Sequence, residues 1–128
     1  MKLEDLVINL DLAKQLKKLG VIQNSLLYWH HYLVSGWTIV SGDECPIQSI
    51  TDNKNYSAFT SLELGEMLPI WHDSCKRDTN DWHVRVFEKN KDNICHNSFD
   101  KTEADARAKM LIYLIENNFI NIEDINLC

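Results

Sequence analysis

Within SLLYWHHYLVSGWTIV, the run Tyr28-Trp29-His30-His31-Tyr32 sets two adjacent histidines among three aromatic rings. Imidazoles can ligate a metal, move a proton or hydrogen-bond a ligand, and the rings offer flat surfaces for stacking. A second run, WHVRVF at residues 82–87, adds the guanidinium of Arg85 and the imidazole of His83. A guanidinium can fork onto a phosphate or carboxylate. What these groups can do together depends on which way each side chain points.

Both runs read as strands, and successive strand side chains point to opposite faces. Leu27, Trp29 and His31 share one face, and Tyr28, His30 and Tyr32 the other. Adjacent strand histidines therefore cannot chelate one ion, so the pair is not a metal motif. In the second run Trp82, Val84 and Val86 form the apolar face, which predicts that they meet the core. His83, Arg85 and Phe87 then look outward, and Tyr28, His30 and Tyr32 are expected to join them. The residues expected to bind a ligand are Tyr28, Trp29, His30, Tyr32, His83 and Arg85. Arg85 would contact phosphate, the rings would stack on a base and the histidines would donate hydrogen bonds. Such a face also suits a dimer or partner interface, where Tyr, Trp and Arg are enriched. A third reading is an outer sheet face held by cross-strand pairs alone.

The sequence carries no nucleophile elbow, phosphate loop, HExxH or paired-carboxylate motif. His72 with Cys75 has ligand-like or nucleophile–base spacing, which admits a small hydrolase as a third function class. The four cysteines (Cys45, Cys75, Cys95 and Cys128) form no CxxC knuckle. No metal, cofactor or catalytic residue is assigned.

A length of 128 residues predicts a single domain, 1–128, with its own core. The net charge of −6 and scattered lysines, densest at Lys14, Lys17 and Lys18, argue against double-stranded nucleic acid. Those lysines read as the solvated face of a helix. No apolar run is long enough to span a bilayer, and MKLEDLVINLDL lacks the basic flank and apolar block of a signal peptide. These features predict a cytoplasmic protein with no membrane partner.

Helical spacing of Leu12, Leu16 and Leu19 predicts a first helix, capped by Asn9 or Asp11 and stopped by Gly20. SLLYWHHYL and GWTIV form a hairpin across Val34-Ser35-Gly36. Residues 41–57 are a polar connection with an extended piece at 47–50. Thr60 and Glu63 make a capping box for a helix that Pro69 ends. A polar loop covers 71–81, with Trp71 and Trp82 as anchors or a lid. WHVRVFEK and ICHNSF form the second hairpin. A long helix over 101–117, capped by Asp100 or Thr102, carries a buried stripe of Ala104, Ala108, Leu111 and Ile115, flanked by Met110 and Leu114. The tail is expected to pack through Phe119, Ile120 and Ile122. The order α-β-β-α-β-β-α predicts an α+β fold: one antiparallel four-stranded sheet with helices mainly on one face.

Three blocks, LDLAKQLKKLGVIQNSLLYW, SAFTSLELGEMLP and TEADARAKMLIYLIENNFI, together resemble an uncharacterised family of small phage, prophage and mobile-element proteins. The resemblance implies an accessory protein working in the bacterial cytoplasm. Such proteins sequester nucleotide-derived immune signals or block a host enzyme by direct binding. Joined to the readings of the aromatic sheet face, this setting leads to the expectation of a homo-oligomeric binding protein with a small anionic nucleotide ligand, or of an inhibitor of a host protein. It supplies no catalytic residues.

Overall fold

The computed structural model describes residues 2–43, 55–69, 71–87 and 94–126. After a 3-10 turn at Leu3–Asp5 the described elements are α1 (Leu10–Lys18), β1 (Leu27–Tyr32), β2 (Gly36–Ser41), β3 (Asn55–Ser57) and α2 (Ser61–Met67). They continue with β4 (His72–Lys76), β5 (Trp82–Phe87), β6 (Ile94–Asp100), α3 (Glu103–Glu116) and α4 (Ile122–Asn126). The fold is α+β, but the strands form two antiparallel sheets of three, ordered β2-β1-β3 and β4-β5-β6. This corrects the expected four-stranded sheet. β3 takes the second edge of β1, β4 takes the second edge of β5, and among the described residues no ladder links the two hairpins.

Both unexpected strands are polar. In β4, His72, Ser74 and Lys76 alternate with Asp73 and Cys75, so no hydrophobic period marks it. It forms because β5 supplies a ladder partner for every one of its residues. The expected extended piece at 47–50 lies outside the described residues.

Local signals set the helix ends. Asn9 accepts from the Leu12 N–H, and Gly20 takes a φ of 98° beyond α1. Thr60 and Glu63 form the expected capping box, and the Glu63 carboxylate does more. Its Oε1 also accepts from the Ser25 hydroxyl at 2.9 Å, and its Oε2 from the Leu26 N–H at 3.3 Å, fixing the entry to β1. Leu68 is forced extended ahead of Pro69, which ends α2. Thr102 caps α3 by accepting from the Asp105 N–H.

The main core gathers α1, α2 and α3 over β5. Val84 and Val86 point into it, as the alternation predicts, and Trp82 packs against it. The buried surface of α3 is wider than the expected stripe: the flanking Met110 and Leu114 are buried with it, Ala106 and Ile112 are buried too, and Ile115 only partly. The cause is position, since α3 touches α1, α2, β5 and β6 at once. In the tail, Ile120 and Ile122 pack inward as expected, whereas Phe119 is exposed and Ile125 is buried in its place.

On β6, His96 stacks on Tyr113 of α3 at 3.5 Å between ring centroids. Burial disfavours the charged imidazole and lowers its pKa below the ordinary 6.5. The unfolded chain then binds this proton more tightly, so the stability from neutral His96 is fully present above pH 6.5. It is lost as pH falls through 6.5 towards the folded value. His96→Phe keeps the stack and removes the titration. Its stability relative to the parent should rise steadily as urea denaturation is repeated from pH 7 to 5, and a pH-independent difference would refute this.

Candidate functional site

The six expected ligand residues divide between the two sheets, with Tyr28, Trp29, His30 and Tyr32 on β1 and His83 and Arg85 on β5. Tyr28 is only 5% exposed and pairs with Val40 in a small second core. Its hydroxyl donates to the Gln23 carbonyl at 3.2 Å and accepts from the Ser25 N–H at 3.1 Å. Trp29 packs on the main core and donates Nε1–H to the Ile8 carbonyl at 2.9 Å. These two rings are committed to the fold. His30 meets the buried Asn55 side chain, Nδ1 to Oδ1 at 2.6 Å, and lies edge-on to the exposed Tyr32.

On the opposite face of this sheet His31 lies against Trp37, and Trp37 against Tyr56. Lys14 reaches over Trp37 at 5.3 Å and Lys17 over Tyr56 at 4.8 Å. Lys17 also donates to the Asn55 carbonyl at 3.1 Å. Two lysines expected to be merely solvated thus seal α1 to β2 and β3 by cation–π contact.

The outer face of the second sheet is open and chemically crowded. Arg85 donates Nε–H to Asp73 Oδ1 at 2.8 Å and makes a second bond to Oδ2, so its fork is closed on one carboxylate. The Arg85 hydrogen bonds hold the Asp73 carboxyl below its ordinary pKa, and Arg85 is raised in turn. A phosphate would have to displace Asp73 to reach this guanidinium. His83 bonds Asn97 at 2.7 Å and stacks on Phe99 at 4.4 Å, with the Arg77 guanidinium also 4.4 Å from that ring. Phe99 stays 42% exposed.

Strand geometry also separates His72 from Cys75, which stand three positions apart and so on opposite faces of β4. His72 Nδ1 bonds the Pro69 carbonyl, while Cys75 is a free, exposed thiol. Nucleophile and base are not brought together. Cys45 and Cys128 lie outside the described residues. Among the described residues, no group of three or more His, Cys, Asp or Glu side chains is placed to hold a metal ion. No described helix is long and apolar enough to cross a membrane.

A cavity of about 370 Å³ lies where the first turn of α3 meets the start of α2 and the β4–β5 ladder. Trp82, Lys76 and Lys101 line it, with Asp5, Ser61 and Thr102. Lys76 and Trp82 are cross-strand partners, and both border the cavity. Glu103 also belongs to the lining, but its charge is met by Arg107 at 3.4 Å and by the Ser61 hydroxyl at 2.5 Å. With Glu103 paired, the remaining ionised groups are two lysines and Asp5, a net positive balance. The helix start adds its unpaired N–H groups. Only the Thr102 cap was legible in sequence, because β4 has no period and the two lysines are far apart in the chain.

Searches of protein-family models, curated proteins and solved structures find no match to this chain.

Proposed function

We propose that this chain is a non-enzymatic binding protein whose ligand is small, with a flat ring and an anionic group. The observation that carries this reading is a cavity lined by Trp82 and by two lysines without an ionic partner among the described residues. Indole offers a stacking surface, and the lysines with the start of α3 favour negative charge. About 370 Å³ is near the lower end of the roughly 300–1,000 Å³ usual for ligand pockets. That volume favours a mononucleotide over a larger cyclic oligonucleotide. The resemblance to mobile-element proteins supplies a setting: sequestration of a nucleotide-derived signal in the bacterial cytoplasm, antagonising host defence.

Thermal unfolding with nucleoside monophosphates and their cyclic forms tests this. A true ligand at a hundredfold excess over its dissociation constant stabilises by about 2.7 kcal/mol, a rise of several degrees. Lys76→Ala combined with Lys101→Ala should abolish the rise, and Lys18→Ala should leave it intact. No rise with any of these compounds, or a rise that survives the double substitution, defeats the proposal.

The exposed Phe99, flanked by His83 and Arg77, favours a second reading as an inhibitor of a host protein. Phe99→Asp should then release a partner recovered from host lysate while leaving ligand-induced stabilisation unchanged.

A further inference from the structure

We propose that the tip of the β1–β2 hairpin inserts into a second cavity, at the end of α2, of another copy of this chain, joining copies head to tail. At the tip Leu33 is 93% exposed and Val34 is 100% exposed. Turns ordinarily carry Gly, Asn, Asp, Ser or Pro, as residues 77–81 of this chain do with RDTND. Two aliphatic side chains there bury nothing, so they do not stabilise this fold. The exposed ring of Tyr32 flanks them on one face of the hairpin and the half-buried ring of Trp37 on the other, so the two aliphatic side chains are the foremost part of an apolar prow. Gly36 closes the turn at a φ of 73°, and the β1–β2 ladder runs up to the Tyr32–Gly36 pair, so the prow is held in shape. Little ordering remains to be done on docking.

The receiving cavity has a volume of about 440 Å³ and is separate from the ligand cavity. Its apolar walls include Leu68, Trp71, Phe119 and Ile120, and Glu66 and Asp124 belong to its lining. Phe119 is 59% exposed at its mouth. Charge selects the mate. Lys14 stands 5.3 Å from the Trp37 ring, so a basic group accompanies an apolar prow, and the Glu66 carboxylate accompanies an apolar recess. In a chain of net charge −6, general repulsion between copies is relieved where lysine meets carboxylate. Prow and recess are different surfaces, so the contact is heterologous: it propagates into a ring or short polymer instead of stopping at a two-fold dimer.

Sedimentation velocity on the full chain over a wide concentration range tests this. The parent protein should show a mass that climbs past the dimer as concentration rises. Val34→Asp and Phe119→Asp should each weaken association by roughly tenfold or more. Both sites are exposed, and unchanged thermal melting confirms that each variant is folded. The decisive arm mixes the two variants. Val34→Asp retains the recess and Phe119→Asp retains the prow, so the mixture should form a 1:1 complex that grows no further. A parent that stays monomeric, a dimer that ignores both substitutions, or a mixture that stays monomeric overturns the proposal. So does a monomer that co-sediments with anionic lipid vesicles through Val34, which would assign the prow to a bilayer.

Discussion

Replacing Arg107 with alanine should lower the free energy of unfolding by about 3 kcal/mol, among the largest effects expected of any polar residue in this chain. Its side chain is only 17% exposed, and its guanidinium joins three elements. From α3 it donates to the Ser61 carbonyl at the start of α2 (2.6 Å) and to the Ser74 hydroxyl on β4 (2.8 Å), and it pairs with Glu103. Truncation leaves a carbonyl, a hydroxyl and a carboxylate short of their donor. Arg107→Lys keeps the charge but not the fork, so it should recover only part of the loss. The neighbouring Gly65 supplies an internal check. A Cβ there would stand 2.5 Å from Arg107 Nη1, the nitrogen bonded to Ser61. Gly65→Ala should therefore destabilise the parent, despite the roughly 1 kcal/mol that alanine gains in a helix. In the Arg107→Ala background the same change should stabilise. Urea denaturation of the four proteins in this cycle measures the coupling, and Gly65→Ala effects of equal sign in both backgrounds would contradict the account.

Phe59→Ala should cost about 3–5 kcal/mol. Phe59 is fully buried between β3 and α2, and it is the largest of the side chains with no exposure. Its carbonyl also accepts from the Ile8 N–H at 3.0 Å, beside the single Val7–Thr60 bridge that ties the N-terminal segment to this junction. Against a typical domain stability of about 5–15 kcal/mol, the loss is a large share of the whole. The urea midpoint should fall sharply with an unchanged slope, and Phe59→Leu should fall much less. A midpoint that barely moves would show that this junction is not part of the cooperative core.

Chain-local signals were legible in the sequence, and partnerships were not. Asn9, Gly20, the Thr60–Glu63 box, Pro69 and Thr102 act through bonds within a few residues, so each was readable from spacing. The alternation in WHVRVF correctly turned Val84 and Val86 inward, because only one face of β5 meets helices. The sheet count failed for a different reason. β3 is three residues long, and β4 is polar on both faces; each exists because a neighbour offers unpaired backbone groups. The expected ligand face failed with it, since joining Tyr28 and His30 to Arg85 required a single sheet. Arg85 itself was rightly placed outward, but its closure on Asp73 depends on a strand that no period announced. Phe119 shows the limit of composition, for a large apolar ring in the tail was expected inside and stands exposed.

The long-range bonds of α1 carry a consequence for the order in which the chain assembles. Each described sheet is built from strands that follow one another in sequence, so its ladders close small loops. The first helix is different. Asn9 at its start donates its N–H to Asp105, and beyond its end Asn126 bonds both Gly20 and Ile22. These fastenings span 96 to 106 residues and carry the heaviest closure entropy described in the molecule. Two hairpins and α3 can therefore gain structure before α1 docks. By its closure entropy, the docking of α1 should be the late event that joins separately formed sheets into one cooperative unit, and its release the matching first step in unravelling.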